Sequence, residues 1–256
     1  MSLFELNGKV AVITGSSRGI GRAIAERMAE AGAKVVISSR KADACAEVAN
    51  MITARGGTAI AHAASISDKA ALQGLVDHAL QEWGRIDILV CNAAVNPYFG
   101  PLLNISDEAF DKIMASNVRS NLWLCSMVIP QMAERNDGAV IVVSSIAGLK
   151  GNTALGAYGI SKAADLQLVR NLAVEYGPRN VRVNAIAPAI IRTDFARKLW
   201  EDPVIYGNAV KGYPLRRIGE PDEVAGAAIF LASRAGAFVT GQAIVVDGGM
   251  TIGGGE

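Results

Sequence analysis

Thr14-Gly15-Ser16-Ser17-Arg18-Gly19-Ile20-Gly21 lies between an apolar run, Lys9 to Thr14, and a stretch with helical spacing, Gly19 to Ala31. A strand that turns through glycines into a helix brings backbone N–H groups and the positive end of the helix dipole to one point. That point suits a pyrophosphate. The spacing Gly-x-x-x-Gly-x-Gly is wider than the usual dinucleotide turn, and a glycine turn alone is a weak signal. Its place directly after the first strand gives it meaning. Gly15, Ser17, Arg18, Gly19, Ile20 and Gly21 are therefore candidate dinucleotide contacts.

Outward from this turn, short β-branched runs alternate with longer helical ones. The strand-like runs are Lys34 to Ser38, Thr58 to Ala63, Ile86 to Cys91, Ala139 to Ser144, Val181 to Ile186 and Gln242 to Val246. Helical spacing covers Ala42 to Arg55, Asp68 to Trp83, Ala157 to Tyr176 and Pro221 to Ser233. Another long helix opens at Ser106, an N-cap followed by Asp107 and Glu108, and runs to about Arg135. Alternating elements with nearly continuous apolar strands predict an α/β fold. It is a single Rossmann-type domain over residues 1–256, with a doubly wound, parallel, seven-stranded sheet and helices on both faces. No repeat, low-complexity segment or domain-sized linker interrupts it. Only Ile190 to Gly212, with Phe195, Leu199, Trp200 and Tyr206, breaks the rhythm. It reads as a lid over a substrate pocket, or as an ordinary helical excursion packed on the core.

Composition narrows the function. The chain of 256 residues is 51% hydrophobic, 5% aromatic and 19% charged, which suits parallel strands under small-residue helices. A net charge of +1 without charged blocks argues against nucleic acid and anionic membrane as partners. No run approaches the length of a membrane span. The first residues lack the apolar core of a signal peptide, and the last match no peroxisomal or endoplasmic-reticulum tag. Three scattered cysteines, Cys45, Cys91 and Cys125, suggest reduced thiols in a cytoplasmic protein. His62 and His78 have no companion ligands close in sequence, so no metal site is expected.

The end of the second strand bears on the nucleotide. An acid about 20 residues past the glycine turn would hold a ribose diol and select NAD. This chain has Ser38-Ser39-Arg40-Lys41 there. Arg40, with Arg18, can grip a 2′-phosphate, so NADP(H) is expected and NAD(H) is the lesser alternative. The bland reading makes Arg40 and Lys41 a solvated start of the next helix.

Tyr158 and Lys162 stand four residues apart, on one face of a predicted helix, with Ser145 in a separate segment upstream. A free phenol is a poor acid–base catalyst at neutral pH, and a fixed ammonium beside it favours the phenolate.

With the glycine turn, Asn92-Ala93-Ala94, Ser145, Tyr158 and Lys162 in this order, the chain resembles the short-chain dehydrogenase/reductase (SDR) family from about Lys9 to Gly249. The resemblance implies that Tyr158 gives a proton to a carbonyl or takes one from an alcohol. It implies that Ser145, rather than neighbouring Ser144, holds the substrate oxygen, and that Lys162 binds the nicotinamide ribose. Asn117 would disrupt its helix locally and help a water relay protons to the lysine. Asn92 and Ala93 would line the adenosine side, and Pro188 to Thr193, Ile191 included, would contact the nicotinamide. Three positions depart from the family pattern: Ser65-Ile66 replaces Asp-Val, and Ala94 and Ala189 replace glycines.

Asn92 to Gly100, Pro178 to Asn184, Leu199-Trp200 and Arg217 to Pro221 resemble NADPH-dependent carbonyl/retinal reductases of the SDR family member 4 type. The implied activity is reversible reduction of a small apolar ketone or aldehyde. Its pocket would be made by Asn96 to Phe99, Leu149 to Leu155, Ile190 and the lid aromatics. A homotetramer is implied as well. The glycine-rich end after Asp247 either reaches a neighbour's cleft or forms a tail. A second reading is a 3-oxoacyl-carrier-protein reductase docking through Arg192, Arg197 and Lys198. A reading from another class is a nucleotide sensor or scaffold without chemistry.

Overall fold

The computed structural model describes residues 2–253, apart from the side chain of Lys198. The last three residues of the glycine-rich end lie outside the described ones. The described residues form seven strands: β1 (Val10–Thr14), β2 (Lys34–Ser38), β3 (Thr58–Ala61), β4 (Ile88–Cys91), β5 (Gly138–Val143), β6 (Val181–Pro188) and β7 (Ala243–Val246). They pair in parallel in the order β3-β2-β1-β4-β5-β6-β7, the doubly wound sheet that the alternation predicts. The helices are α1 (Gly19–Glu30), α2 (Ala42–Ala54), α3 (Lys69–Trp83), α4 (Asp107–Met114), α5 (Ser120–Glu134), α6 (Gly156–Tyr176), α7 (Pro203–Val210) and α8 (Pro221–Ala232).

Successive strand residues point to opposite faces, and both faces are covered. Ala11, Ile13, Val35, Ile37, Ile88, Val90 and Ile141 pack under α1, α2 and α8. Val12, Val36, Leu89, Cys91, Val140 and Val142 pack under α3, α5 and α6. Burial on both sides explains why these strands read as unbroken apolar runs. Each fully buried Val, Ile or Leu contributes roughly 1.5–3 kcal/mol.

The element ends shift by a residue or two from the sequence reading. β3 stops at Ala61, β4 starts at Ile88 and β6 continues to Pro188. The long helix opened by Ser106 is broken at Asn117, the position at which the family resemblance implies a local disruption. The cap is present, with Ser106 Oγ accepting from the Ala109 N–H at 3.3 Å. The helix then passes through a π-turn, Ala115–Arg119, between α4 and α5. The extra residue there turns Asn117 fully inward.

The strand order reverses between β1 and β4, so a crevice opens at their carboxyl ends. Gly15 follows β1 and Asn92 follows β4 at this point.

Candidate active site

The crevice is held open by its own backbone. Thr14 Oγ1 accepts from the N–H groups of Asn92 (3.0 Å) and Ala93 (3.2 Å). The Asn92 amide donates to the carbonyls of Thr14 (2.8 Å) and Gly15 (3.2 Å). Asn92 therefore shapes the turn, and its N–H donors are spent on it. Ser16 Oγ donates to the Ile13 carbonyl at 2.7 Å and accepts from the Ser38 N–H at 2.8 Å, tying the turn to β2. Gly15 has φ +66°, a conformation open to glycine. A Cβ on Gly21 would stand 2.5 Å from the Gly15 carbonyl oxygen, which no side chain tolerates. No side chain caps the first turn of α1, so its N–H groups remain free for an anion. This cradle fits a nucleotide pyrophosphate.

Ser17 and Ile20 flank the turn half-buried. Arg40 is exposed past β2, without an ion pair among the described residues. Arg18 is exposed as well, its Nη1 3.8 Å from Asp194 Oδ2.

A second cluster forms where β5 meets α6. Ser144 is buried and donates to the Lys162 carbonyl at 2.9 Å. Ser145 is half-buried, and its Oγ accepts from the Ala147 N–H at 3.1 Å, starting the short turn Ile146–Gly148. That arrangement leaves the Ser145 hydroxyl hydrogen uncommitted, whereas Ser144 is spent on the backbone. The turn lies against α6 because residue 159 is glycine: a Cβ there would be 2.7 Å from the Ala147 carbonyl oxygen. Tyr158 precedes Gly159 and is half-buried. The Lys162 ammonium lies 5.7 Å from the centre of the Tyr158 ring. Phe195 covers the other side, its ring centre 6.3 Å from that of Tyr158.

Lys162 is 2% exposed. Its Nζ donates to the Val143 carbonyl and to Asp165 Oδ2, both at 3.0 Å. Burial disfavours its charge, but the negative charge of Asp165, and that of Tyr158 when it is a phenolate, outweigh that cost and raise its pKa. Asn117 is also committed: its Oδ1 accepts from the Val95 N–H (2.8 Å), and its Nδ2 donates to the Val95 carbonyl and to Ser161 Oγ (both 3.0 Å). Its carbonyl accepts from Asn121 Nδ2 at 2.6 Å, and that same amide donates to Asp165 Oδ1 at 2.9 Å.

Asp165 and Asn121 are absent from the sequence-derived set. Helical spacing could have found them, since Asp165 is three residues past Lys162 and Asn121 four past Asn117.

The end of β6 closes the crevice from the other side. Ile191 is buried, and the adjacent Ile190 N–H donates to the Tyr213 hydroxyl at 3.2 Å. The Thr193 carbonyl accepts from Trp200 Nε1 at 3.0 Å. The Thr193 methyl group is 3.1 Å from where a Cβ on Gly19 would be. Residues 190–212 form a short 3₁₀ stretch, Asp194–Leu199, and α7. Phe195, Val204 and Ile205 are exposed on them. The structure thus brings Ser145, Tyr158, Lys162 and Asn117 around one turn of α6, and Thr193 onto the glycine turn. Arg40 follows two residues after Ser38, which is hydrogen-bonded to Ser16 of the glycine turn.

His62 and His78, remote in sequence, meet in space, with ring centres 5.0 Å apart. The crossover from β3 to α3 folds the two together across sixteen positions of sequence. Burial and the neighbouring His78 lower the pKa of His62. No group of three or more His, Cys, Asp or Glu side chains gathers among the described residues.

A doubly wound parallel sheet with a glycine cradle at its switch point defines the Rossmann class of nucleotide-binding folds. Within that class the chain belongs to the short-chain dehydrogenase/reductase family, a family of oxidoreductases that use a nicotinamide cofactor. The sequence profile described as Enoyl-(Acyl carrier protein) reductase matches residues 15–251. Dehydrogenase/reductase SDR family member 4 of Bos taurus is 42% identical over 248 residues, which cover 95% of this chain and 88% of that protein. The structure of a 7α-hydroxysteroid dehydrogenase complexed with NADH and 7-oxo glycochenodeoxycholic acid is 38% identical. It superposes with a TM-score of 0.92 over 99% of this chain and 97% of its own. A gluconate 5-dehydrogenase from Burkholderia cenocepacia J2315, in complex with NADP and tartrate, is 32% identical with a TM-score of 0.93, over 97% of each chain.

Proposed function

We propose that the protein is an NADPH-dependent reductase of small apolar ketones or aldehydes, running in reverse as an alcohol dehydrogenase. One observation carries this reading: a buried ammonium, Lys162, 5.7 Å from the ring of Tyr158, beside a turn that leaves the Ser145 hydroxyl uncommitted. The glycine turn from Gly15 to Gly21 would hold the pyrophosphate, Lys162 the nicotinamide ribose, and Pro188 to Thr193 the nicotinamide side. Arg40, exposed where an acid would select NAD, and Arg18, exposed in the glycine turn, favour a 2′-phosphate. Relatives with either nucleotide stand at similar structural distance, so the NADPH reading rests on the two arginines.

When bound, the cofactor supplies the hydride. The chain must orient the carbonyl and manage one proton. Ser145 and Tyr158 hydrogen-bond the substrate oxygen as negative charge grows on it. Tyr158 gives up its proton, and Lys162 favours the phenolate that remains. Phe195 and the other exposed apolar residues of the lid make the pocket apolar. We read residues 1–256 as one domain with that lid, cytoplasmic and assembled as a homotetramer.

A second reading is reduction of a 3-oxoacyl carrier protein; the matched family's description shares the carrier protein with it but names enoyl reduction, a different reaction. That reading needs free cations around the pocket. Arg192 is instead paired with Glu220 and stacked on Trp200, and Arg197 is paired with Asp194. Following NADPH absorbance across ketones, aldehydes and acyl thioesters tests both. Turnover of small ketones or aldehydes supports the first reading. Turnover confined to acyl thioesters replaces it with the second, and tight nucleotide binding without any turnover points to a sensor.

A further inference from the structure

A charge in a protein interior is expensive unless it is paired. Asp165 is fully buried in the middle of α6, where an apolar residue would pack at no electrostatic cost. Both of its oxygens are used: Oδ2 accepts from Lys162 Nζ and Oδ1 from Asn121 Nδ2. An ammonium has three N–H donors. Val143 and Asp165 take two, which leaves one for the crevice. Asn121 also binds the Asn117 carbonyl, so the carboxylate is tied to the π-turn.

We propose that Asp165 is a positioning residue of this site, whose carboxylate keeps the Lys162 ammonium charged and fixed beside Tyr158, with Asn121 steadying the carboxylate. The proposal rests on the catalytic reading of Tyr158 and Lys162 given above. Other groups face the pair. Tyr158 shares α6, Cys91 approaches from β4, and Cys125 stands behind Cys91 on α5. The Cys125 thiol and burial hold the Cys91 thiol well above its ordinary pKa, so it stays neutral. Burial raises the Asp165 carboxyl above its usual range, against the pull of Lys162 and Asn121. The two hydrogen bonds it accepts are those of a carboxylate. Without that carboxylate the buried ammonium releases its proton more readily, and a phenolate at Tyr158 loses its partner.

Two measurements on Asp165→Asn test this. The first needs neither cofactor nor substrate. In apo-protein carrying ¹³C-labelled lysine, the Cε resonance of Lys162, assigned by its loss in Lys162→Arg, is followed against pH. It should titrate at least about one pH unit lower in Asp165→Asn than in wild type, a tenfold change in proton affinity. The second is the pH profile of kcat/KM for alcohol oxidation. Its acid limb should move up by a similar amount in Asp165→Asn and return toward wild type in Asp165→Glu. An unchanged Lys162 titration, or an acid limb that stays put or moves down, overturns the proposal. If Asp165→Asn does not fold, Asn121→Ala removes one support and keeps the charge. It should move both readouts the same way by less, and no movement again overturns the proposal. Absence of turnover by wild type would sink the reductase reading and leave the lysine titration to decide the role of Asp165.

Discussion

Lys162 reaches back one helical turn to Tyr158 while its backbone carbonyl takes the hydroxyl of Ser144. The two adjacent serines therefore do different work: Ser144 anchors β5 to α6, and Ser145 faces the crevice. Ser145→Ala should lower kcat about 100-fold or more, the usual cost of losing one oxyanion donor, with little change in melting temperature. Ser144→Ala should cost about 1 kcal/mol of stability for a lost buried hydrogen bond, with kcat nearly intact. Steady-state kinetics beside thermal melts separate the two, and a reversed pattern would reassign the serines.

Arg40 has no competing partner among the described residues, so a 2′-phosphate would be its principal contact. A charge-assisted bond of this kind is worth roughly 1.5–3 kcal/mol, so Arg40→Ala should lower kcat/KM for NADPH about 10- to 100-fold. The value for NADH should barely change. Wild-type preference for NADH would contradict this assignment.

The glycine cradle has no room at residue 21. In Gly21→Ala the new methyl group meets the Gly15 carbonyl and the Asn92 amide. Overpacking of this sort costs about 1–3 kcal/mol, and moving the turn should also weaken nucleotide binding. Fluorescence titration with NADPH and a denaturant melt read both effects. A variant with native affinity would mean that the turn does not hold the phosphates.

Glu223, in the first turn of α8, contributes to acid sensitivity. Glu223 accepts both terminal nitrogens of Arg217, at 2.7 and 2.6 Å, and the Glu220 N–H at 2.8 Å. The Arg217 bond, helped by that N–H, lowers its pKa from 4.5 to about 2. A folded pKa below the unfolded one stabilises the fold above the unfolded value, and the gain disappears as pH falls through the folded value. Both side chains stand nearly half in solvent, so the gain is small. Wild type should melt slightly above Glu223→Gln at pH 7, and the gap should close between pH 4.5 and about 2. A gap that widens on acidification would refute the sign.

Much of this architecture is legible in the sequence because burial on both faces of the sheet leaves apolar runs. Lys34–Ser38 is bounded correctly to the residue. Tyr158 and Lys162 are legible because their juxtaposition is local to one helix. What escapes depends on tertiary contacts. The break at Asn117 is expected only through the family resemblance, because the π-turn at Ala115–Arg119 accompanies bonds of Asn117 to Val95 and Ser161, partners 22 and 44 positions away. His62 and His78 meet only through a crossover. Asp165 has helical register with Lys162, yet an aspartate within a helix ordinarily reads as solvated. Only the packed structure reveals that its face is the interior one.

The proton transfer assigned to Tyr158 is tested most directly by Tyr158→Phe, which removes one oxygen and keeps the ring against Phe195. NADPH oxidation by this variant with the best ketone or aldehyde should fall at least about 100-fold in kcat, since acid–base help alone contributes about 10²- to 10⁴-fold. NADPH affinity should stay within a fewfold of wild type. Retention of wild-type turnover by Tyr158→Phe would contradict the assignment outright.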